Sequence, residues 1–494
     1  MKELVVIGSG AGGLCAAILL GQRGWRVTVL EQHYRAGGCL HRFFRRGLGY
    51  DTGFHYVGSA GPDGSFAKLL RHLGVADAIR LTPLDPDGFD VLRFPDFEFR
   101  VPAGLDRWAA RLKEAFPHEA AGVDAYVALH RAAVACYGLY TLDPTVAADA
   151  PLPWESRTLG DVLATCFTTP RIRAVIGGHG APLYGVAPHE APFGIHAVVT
   201  DHFLTGAATI GGGGDHLAQV LCARVRELGG RVLLRTEATA IRVEDGVAVG
   251  VDVADGRRFP ADLIYANLHP RRVLELLPPG STRPAYQERV LAARPGRGHF
   301  GLYLRVRGNL DALRGRNLYR FAHEDIDRMD GGNGVPFYFL TAPATRDEGE
   351  GVVLGLTPTD QGFWESFEGD LGKHPGGAPV RGADYTEAKA AMLARVLAVI
   401  QADFPDWEIL RAEGSTPLTL AHYTGVPRGA TYGHHHAVDQ MGRYRLPMLL
   451  RVRHLVQIGQ AVAFPGICGA MMSACAAVGG MIGMDQMIAE LRAA

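Results

Sequence analysis

Leu4-Val5-Val6-Ile7 runs directly into Gly8-Ser9-Gly10-Ala11-Gly12-Gly13, Leu14-Cys15-Ala16-Ala17-Ile18-Leu19-Leu20 follows, and Glu31 stands just after a second apolar run, Val27 to Leu30. The short apolar run reads as a strand and the Ala/Leu-rich segment as a helix, so the glycines fall at a strand-to-helix turn. Each glycine has a physical reason to be there. Gly8 makes the tight turn, Gly10 lets the backbone approach a pyrophosphate, and Gly13 lets the helix pack against the strand. The helix N-terminus offers unpaired N–H groups and a positive dipole end to phosphate. Glu31 is expected to accept hydrogen bonds from ribose hydroxyls. This is a dinucleotide-binding fingerprint in its expected context.

After Glu31 the chain reads Gln32-His33-Tyr34-Arg35-Ala36-Gly37-Gly38. A second glycine pair so close to the acidic residue suits a cofactor that continues past the pyrophosphate toward a flavin, which favours FAD over NAD. Gly211 to Gly214 form another glycine run, but without a preceding strand and acidic partner they predict no second nucleotide domain. Any electron donor or acceptor is therefore expected to be external or absent.

With 494 residues, two domains are the default expectation. The formal net charge of -1 and the lack of a long Lys/Arg run give no footprint for nucleic acid. Seven scattered cysteines, with no C-x-x-C pair, read as buried thiols of a reducing compartment. Met1-Lys2-Glu3 leads straight into the nucleotide strand, so Leu4 to Leu20 is read as fold, not export signal, and the protein as cytoplasmic. Leu455 to Met484 contains no Asp, Glu, Lys or Arg. Its Pro465 and many glycines predict a buried strand, turn and helix instead of a membrane span.

Asp215 is expected to cap a helix over His216 to Leu228 that Gly229-Gly230 stops. Val232-Leu233-Leu234 and the alternating Val247, Val249, Val251 and Val253, flanked by Asp245-Gly246 and Asp255-Gly256, predict a β-meander. Ala261 to Asn267 then reads as a strand returning to the nucleotide sheet. Between these returns lie two insertions. The first is rich in Pro, aromatic residues and helix-like stretches. The second has strands at Gly301–Leu304 and Gly351–Leu354, an amphipathic helix near Lys389 to Ile400, and an exposed loop over Asp370 to Gly382.

Leu30 to His41 followed by Gly49-Tyr50-Asp51-Thr52-Gly53-Phe54-His55-Tyr56-Val57-Gly58 resembles the retinol saturase and carotenoid isomerase branch of the phytoene desaturase superfamily. Thr416-Pro417-Leu418-Thr419 with His422 to Gly429 and Tyr432-Gly433 is similar to that branch's late substrate-domain motif. Gln457-Ile458-Gly459-Gln460, Pro465-Gly466 and Gly469-Ala470 are similar to its C-terminal flavin motif.

The resemblance implies an α/β fold of the glutathione reductase type. Its discontinuous FAD-binding Rossmann domain covers 1–59, 209–290 and 441–494, and an α+β substrate domain is built from insertions 60–208 and 291–440. It implies a cofactor set of Gly8, Gly10, Ala11, Gly13, Glu31, Gln32, Gly37, Gly38, Cys39, His55, Gly459, Gln460, Pro465 and Gly466. Cys39 departs from the Arg that many desaturases carry there, and a packing role is expected for it. A helix starting at Gly466 would point its dipole at the flavin and favour negative charge there by roughly 1 kcal/mol.

The implied reaction is reduction or isomerisation of a carbon–carbon double bond in a long apolar polyene, such as a carotenoid or retinoid, bound in an apolar tunnel ending at the flavin. His55, Tyr56, Tyr423, Tyr432 and His436 are the candidate proton partners, each weighed against a pocket-lining role. His434-His435-His436 is not read as a metal site, because three consecutive rings point in different directions. Alternatives on the same fold are a desaturase, an amine oxidase, and a flavin-free chaperone for prenyl lipids. An apolar substrate also implies peripheral membrane contact.

Overall fold

The computed structural model describes residues 1–147, 150, 152–328, 334–346, 349–368 and 380–494. Its nucleotide half is a five-stranded parallel sheet in the order Leu455–Gln457, Leu263–Ala266, Glu3–Ile7, Arg26–Leu30, Arg231–Leu233. Glu3–Ile7 is central, with Val5 registered against both Thr28 and Ile264. A central parallel strand is covered on both faces, which is why it reads as unbroken hydrophobicity. Leu4 and Val6 face a cluster containing the helices Ala11–Gly21, Gly213–Glu227 and Gly466–Ile482, while Val5 and Ile7 face Ile241, Val251 and Val273 on the other side. Truncating such a residue to Ala costs about 2–5 kcal/mol.

The antiparallel meander is Ala238–Glu244, Val247–Val253 and Arg258–Pro260. Asp245 and Gly246 both have positive φ, as the tight hairpin turn requires. Two sequence expectations need correction here. Val232-Leu233-Leu234 is not part of the meander, because Arg231–Leu233 pairs parallel with Arg26–Leu30 and forms the edge of the nucleotide sheet. The valines do not share one face cleanly: Val251 and Val253 are buried but Val247 and Val249 only half-buried, and register shifts in the pairing with Ala238–Glu244 change the phase of the alternation.

Asp215 is not the N-cap of its helix. The helix starts at Gly213 after Gly212 (φ 80°), and the Asp51 carboxylate accepts from Gly214 N–H (3.2 Å) in place of a local cap. Asp215 instead accepts from Gln219 and Arg35. The Gly211–Gly214 run does follow a strand, Ala208–Ile210, but this pairs antiparallel with Leu81–Pro83 outside the nucleotide sheet.

The two insertions meet in one seven-stranded sheet, ordered Glu408–Ser415, His299–Arg307, Glu350–Pro358, Phe337–Arg346, Asn317–Phe321, Asp90–Arg93, Glu98–Val101. The join is the parallel pairing of Asn317–Phe321 with Asp90–Arg93. Helices of the first insertion cover one face, including Ala120–Ala135, Pro170–Tyr184 and Phe193–Leu204. The helix Ala383–Asp403 covers the other, burying Tyr385, Met392, Val396 and Ile400 at helical spacing. Of the loop expected over Asp370 to Gly382, residues 370–379 lie outside the described residues.

Leu455 to Met484 forms a strand, a turn and the helix Gly466–Ile482, as its composition predicts. Among the described residues no helix is long and apolar enough to cross a membrane. Cys15, Cys222, Cys468 and Cys475 are buried thiols, but Cys39, Cys136 and Cys166 are only half-buried, against the expectation for all seven.

Candidate active site

The fingerprint turn is held from three sides. Gly8 has φ 93°, and a Cβ there would lie 2.8 Å from the Asn267 carbonyl oxygen. A Cβ at Gly13 would come within 2.1 Å of the Gly8 oxygen, so only glycine permits this helix–turn approach. Gly37 (φ 115°) and Gly38 (φ 57°) bring the second glycine pair against the first turn: Gly37 N–H donates to the Ser9 oxygen (3.1 Å), and a Cβ at Gly38 would touch Gly10 Cα at 3.4 Å. Glu31 accepts from Ser9 N–H (2.9 Å), Ser9 Oγ (2.6 Å) and His33 N–H (2.8 Å). It is therefore a clamp between turn and second strand as well as a residue of the cavity wall.

Sequence reasoning missed Asn267. It follows the strand Leu263–Ala266, and its side chain stands within 3.0 Å of where Cβ atoms would be built on Gly10, Gly12 and Gly459, so it fits only because these positions are glycine. The signal was available: a lone amide at the end of a strand entering the nucleotide sheet.

Beside this turn lies a cavity of about 850 Å³. Glu31, Gln32 and Thr236–Ala238 line one part, Gly10, Ala11, Gly37, Gly38 and Cys39 another, and Gly53, His55, Gly459, Gln460, Gly466 and Ile467 a third. This volume and this sequence of walls suit a molecule with a nucleotide, a pyrophosphate and a further ring system. A Cβ at Gly466 would meet nothing within 4 Å and would project into open space. Gln460 donates to the Thr431 oxygen (3.2 Å), and Gly459 N–H to Ser473 Oγ (2.7 Å), fixing this wall. Cys39 is half-buried on this wall, and desolvation pushes its thiol up to about 11, which disfavours the thiolate.

A second cavity, about 580 Å³ and lined largely by Leu, Val, Phe and Met side chains, shares Gly53, His55, Leu356, Tyr432, Gly466 and Ile467 with the first. Pro465 lines only this second cavity. The two spaces therefore meet at a common wall. His55 stands at that wall beside Phe339 (ring centroids 5.1 Å apart), its Nδ1 without a partner, and burial lowers its pKa to about 4. Tyr432 is also at the wall, with Oη donating to the Pro182 oxygen (3.2 Å) and its acidity suppressed by burial.

Tyr56 lines the apolar cavity alone. Its Oη donates to Asp90 Oδ2 (2.9 Å) and lies 2.8 Å from Tyr319 Oη. His179 Nε2 (3.2 Å) and Asn317 Nδ2 (2.8 Å) also reach the fully buried Asp90 carboxylate. Three donors satisfy this carboxylate and fix the Tyr56 ring at the cavity surface. His179, ambiguous in the sequence, is thus part of that support.

The remaining candidates stand elsewhere. Tyr423 lines the cofactor cavity, packed edge-on against His33 (5.7 Å), and does not reach the apolar one. His436 lines neither cavity: it is buried, and burial takes its pKa to about 3. Its place in the list of proton partners is corrected on that ground. His435 pairs with Glu190 (3.2 Å), while the His434 and His436 ring centroids are 6.5 Å apart. Among the described residues no group of three or more His, Cys, Asp or Glu side chains converges as a metal site would need.

A sequence profile described as flavin containing amine oxidoreductase matches residues 11–369. The chain belongs to this family. Human all-trans-retinol 13,14-reductase is 28% identical over 530 residues, covering 96% of this chain and 84% of that protein. The 4,4'-diapophytoene desaturase (4,4'-diapolycopene-forming) of a Methylomonas species is 24% identical over 314 residues, 61% of each chain. A structure of putrescine oxidase bound to putrescine superposes with a TM-score of 0.65 at 16% identity, covering 97% of this chain and 99% of that one, which shows the fold. The flavin-containing family and the resemblance seen in the sequence agree.

This member of the flavin-containing family is an FAD-dependent oxidoreductase. The residues present fit FAD: the glycine cradle closes if any Cβ is added at Gly8, Gly10 or Gly13, and the cavity runs from Glu31 to Gly466. FAD supplies a hydride acceptor or donor when bound. Around it, the chain excludes water with the apolar walls, orients the substrate, and places His55 and Tyr432 at the shared wall with Tyr56 beside them. Burial keeps His55 neutral near pH 7, and its Nδ1 stands at the shared wall without a hydrogen-bond partner.

Proposed function

We propose that this flavoenzyme reduces or isomerises a carbon–carbon double bond of a long apolar polyene, of the carotenoid or retinoid kind. The observation that carries the reading is the apolar cavity that meets the cofactor cavity along His55, Leu356, Tyr432, Gly466 and Ile467. A hydrocarbon chain needs such a space and no charged handle. A protonated amine, by contrast, finds no carboxylate on the described wall of this cavity, and an unpaired ammonium there is costly.

The similarity to a retinol reductase along 96% of the chain supports reduction as the direction. In that role His55, Tyr56 and Tyr432 are the proton partners, and the electrons come from an external donor. A polyene partitions into membranes, so the protein collects its substrate by peripheral contact with one. Anaerobic incubation of the reduced holoenzyme with all-trans-retinol, followed by separation of the polyenes, tests the reading. A product saturated or isomerised at one double bond is expected, and unchanged polyene contradicts it.

A further inference from the structure

The Asp90 carboxylate is fully buried, and among the described residues no Lys or Arg pairs with it. Its ionisable partner is His179, equally buried, with Nε2 3.2 Å from Asp90 Oδ2. A carboxylate shut in among neutral groups is costly, so the pair is set to take up one proton. On His179 that proton would make an N–H of Nδ1, a buried atom that faces no acceptor. It belongs on the carboxylate, where Tyr56 stands ready to accept it.

The direction of the hydrogen bonds beyond Asp90 follows from counting protons. Tyr56 Oη donates to Asp90 Oδ2 (2.9 Å) and lies 2.8 Å from Tyr319 Oη. A phenol has one proton. With the Tyr56 proton given to Asp90, Tyr319 must give its own to Tyr56, and neither hydroxyl has a proton to offer the cavity that both rings line. One proton added to the carboxylate turns the whole chain round. Asp90 then donates to Tyr56, Tyr56 to Tyr319, and the Tyr319 proton is free for the cavity. Tyr319 packs on Phe339 (4.9 Å), the ring that also meets His55 (5.1 Å), so the chain ends toward the cofactor side of this space. Burial, with the Asp90 carboxylate close by, holds the Tyr319 phenol well above its ordinary range. Its oxygen therefore passes a proton on only as it receives one.

We propose that Asp90 is the proton store of the reduction, Tyr56 the link, and Tyr319 the catalytic residue that protonates the substrate. The inference rests on the polyene reading in its reducing direction and deepens it. Hydride from the reduced flavin adds to one carbon of the double bond, and the neighbouring carbon forms its new C–H bond as the Tyr319 O–H bond breaks. The Tyr56 proton moves to Tyr319 and the Asp90 proton to Tyr56. The double bond gains the two electrons that the flavin loses, and Asp90 is left as a carboxylate. Tyr56, His179 and Asn317 then donate to it, which is the arrangement in the structure.

The test is a single turnover of holoenzyme reduced in advance with dithionite and mixed anaerobically with all-trans-retinol, read as the rate of forming saturated product. Tyr319→Phe should lower that rate about a hundredfold, with flavin content unchanged and the retinol concentration for half-maximal rate within about twofold. Links of one chain fail together. Tyr56→Phe with Tyr319→Phe should therefore be no slower than about a hundredfold, whereas two independent donors predict about ten-thousandfold. Asp90→Asn, which keeps the shape but cannot release a proton, should match the single variants and add nothing to Tyr319→Phe. If it does not fold, the two tyrosine variants carry the test. A Tyr319→Phe rate close to that of the wild type, or a double variant near the ten-thousandfold loss, overturns the relay and leaves the polyene reading standing. A wild type that isomerises retinol without saturating it also overturns the relay alone, because no stored proton is then consumed. Retinol recovered unchanged from the wild type overturns the polyene reading and the relay with it.

Discussion

His55 and Tyr56 are neighbours in the chain with different surroundings. His55 faces the shared wall with a bare Nδ1, while the Tyr56 hydroxyl is held by Asp90 and Tyr319. If they move protons, His55→Ala and Tyr56→Phe should each lower turnover by roughly a hundredfold with the flavin spectrum intact. A smaller loss confined to KM in stopped-flow and steady-state assays would reduce them to lining residues. The sequence made this pair visible through the motif around Asp51 to Gly58. It hid Asp90, His179, Asn317 and Tyr319, because they come from four separate positions in the chain that only the sheet and helix packing bring together. Residue type and motif also named Tyr423 and His436, of which Tyr423 lines the cofactor cavity and His436 neither cavity.

At the scale of elements, the strand–turn–helix was readable because Gly8, Gly10 and Gly13 are demanded by local geometry, and the structure adds the reason for Gly10. A Cβ there would meet Asn267 Nδ2 at 2.8 Å, so Gly10→Val displaces the amide as well as filling the pyrophosphate path. The purified variant should be colourless or mostly apo, measured as flavin-to-protein absorbance; full flavin content would show the cofactor turn to be misplaced. The elements misread from sequence share a cause. Asp215 looked like a cap, but the helix N-terminus was served by distant Asp51, and Arg231–Leu233 joined the sheet edge through Arg26–Leu30 instead of the following hairpin. Both outcomes depend on partners far along the chain, which local pattern does not encode.

Across the whole molecule, the cavity walls and the core beside them hold histidines that the fold keeps uncharged. Burial lowers His55 and His436 to about 4 and about 3, and His202 and His299 to about 3 each, from 6.5. When these rings unfold they regain the ordinary value, so the unfolded chain takes up protons first as the pH falls. The stability they contribute is whole above about pH 6.5 and is lost as the pH falls toward 4 and 3. Thermal melts should therefore fall steeply below about pH 6, and His436→Phe, which lines neither cavity, should flatten that fall. An unchanged profile would show the ring to be solvated.

The joining of the two insertions into one sheet through Asn317–Phe321 and Asp90–Arg93 was not legible, since parallel pairing across more than two hundred residues leaves no local mark. Yet it is this pairing that puts Tyr319 beside Tyr56 and shapes the apolar space. The most direct measurement of what that space is for is the reoxidation of anaerobically reduced enzyme followed at the flavin band, mixed in parallel with all-trans-retinol and with buffer, while oxidised enzyme is mixed with putrescine. The account predicts that retinol alone changes the system, with flavin reoxidised in step with loss of one double bond, or with an isomerised polyene and no net electron transfer. Bleaching of the oxidised flavin by putrescine, with retinol recovered unchanged, would contradict it.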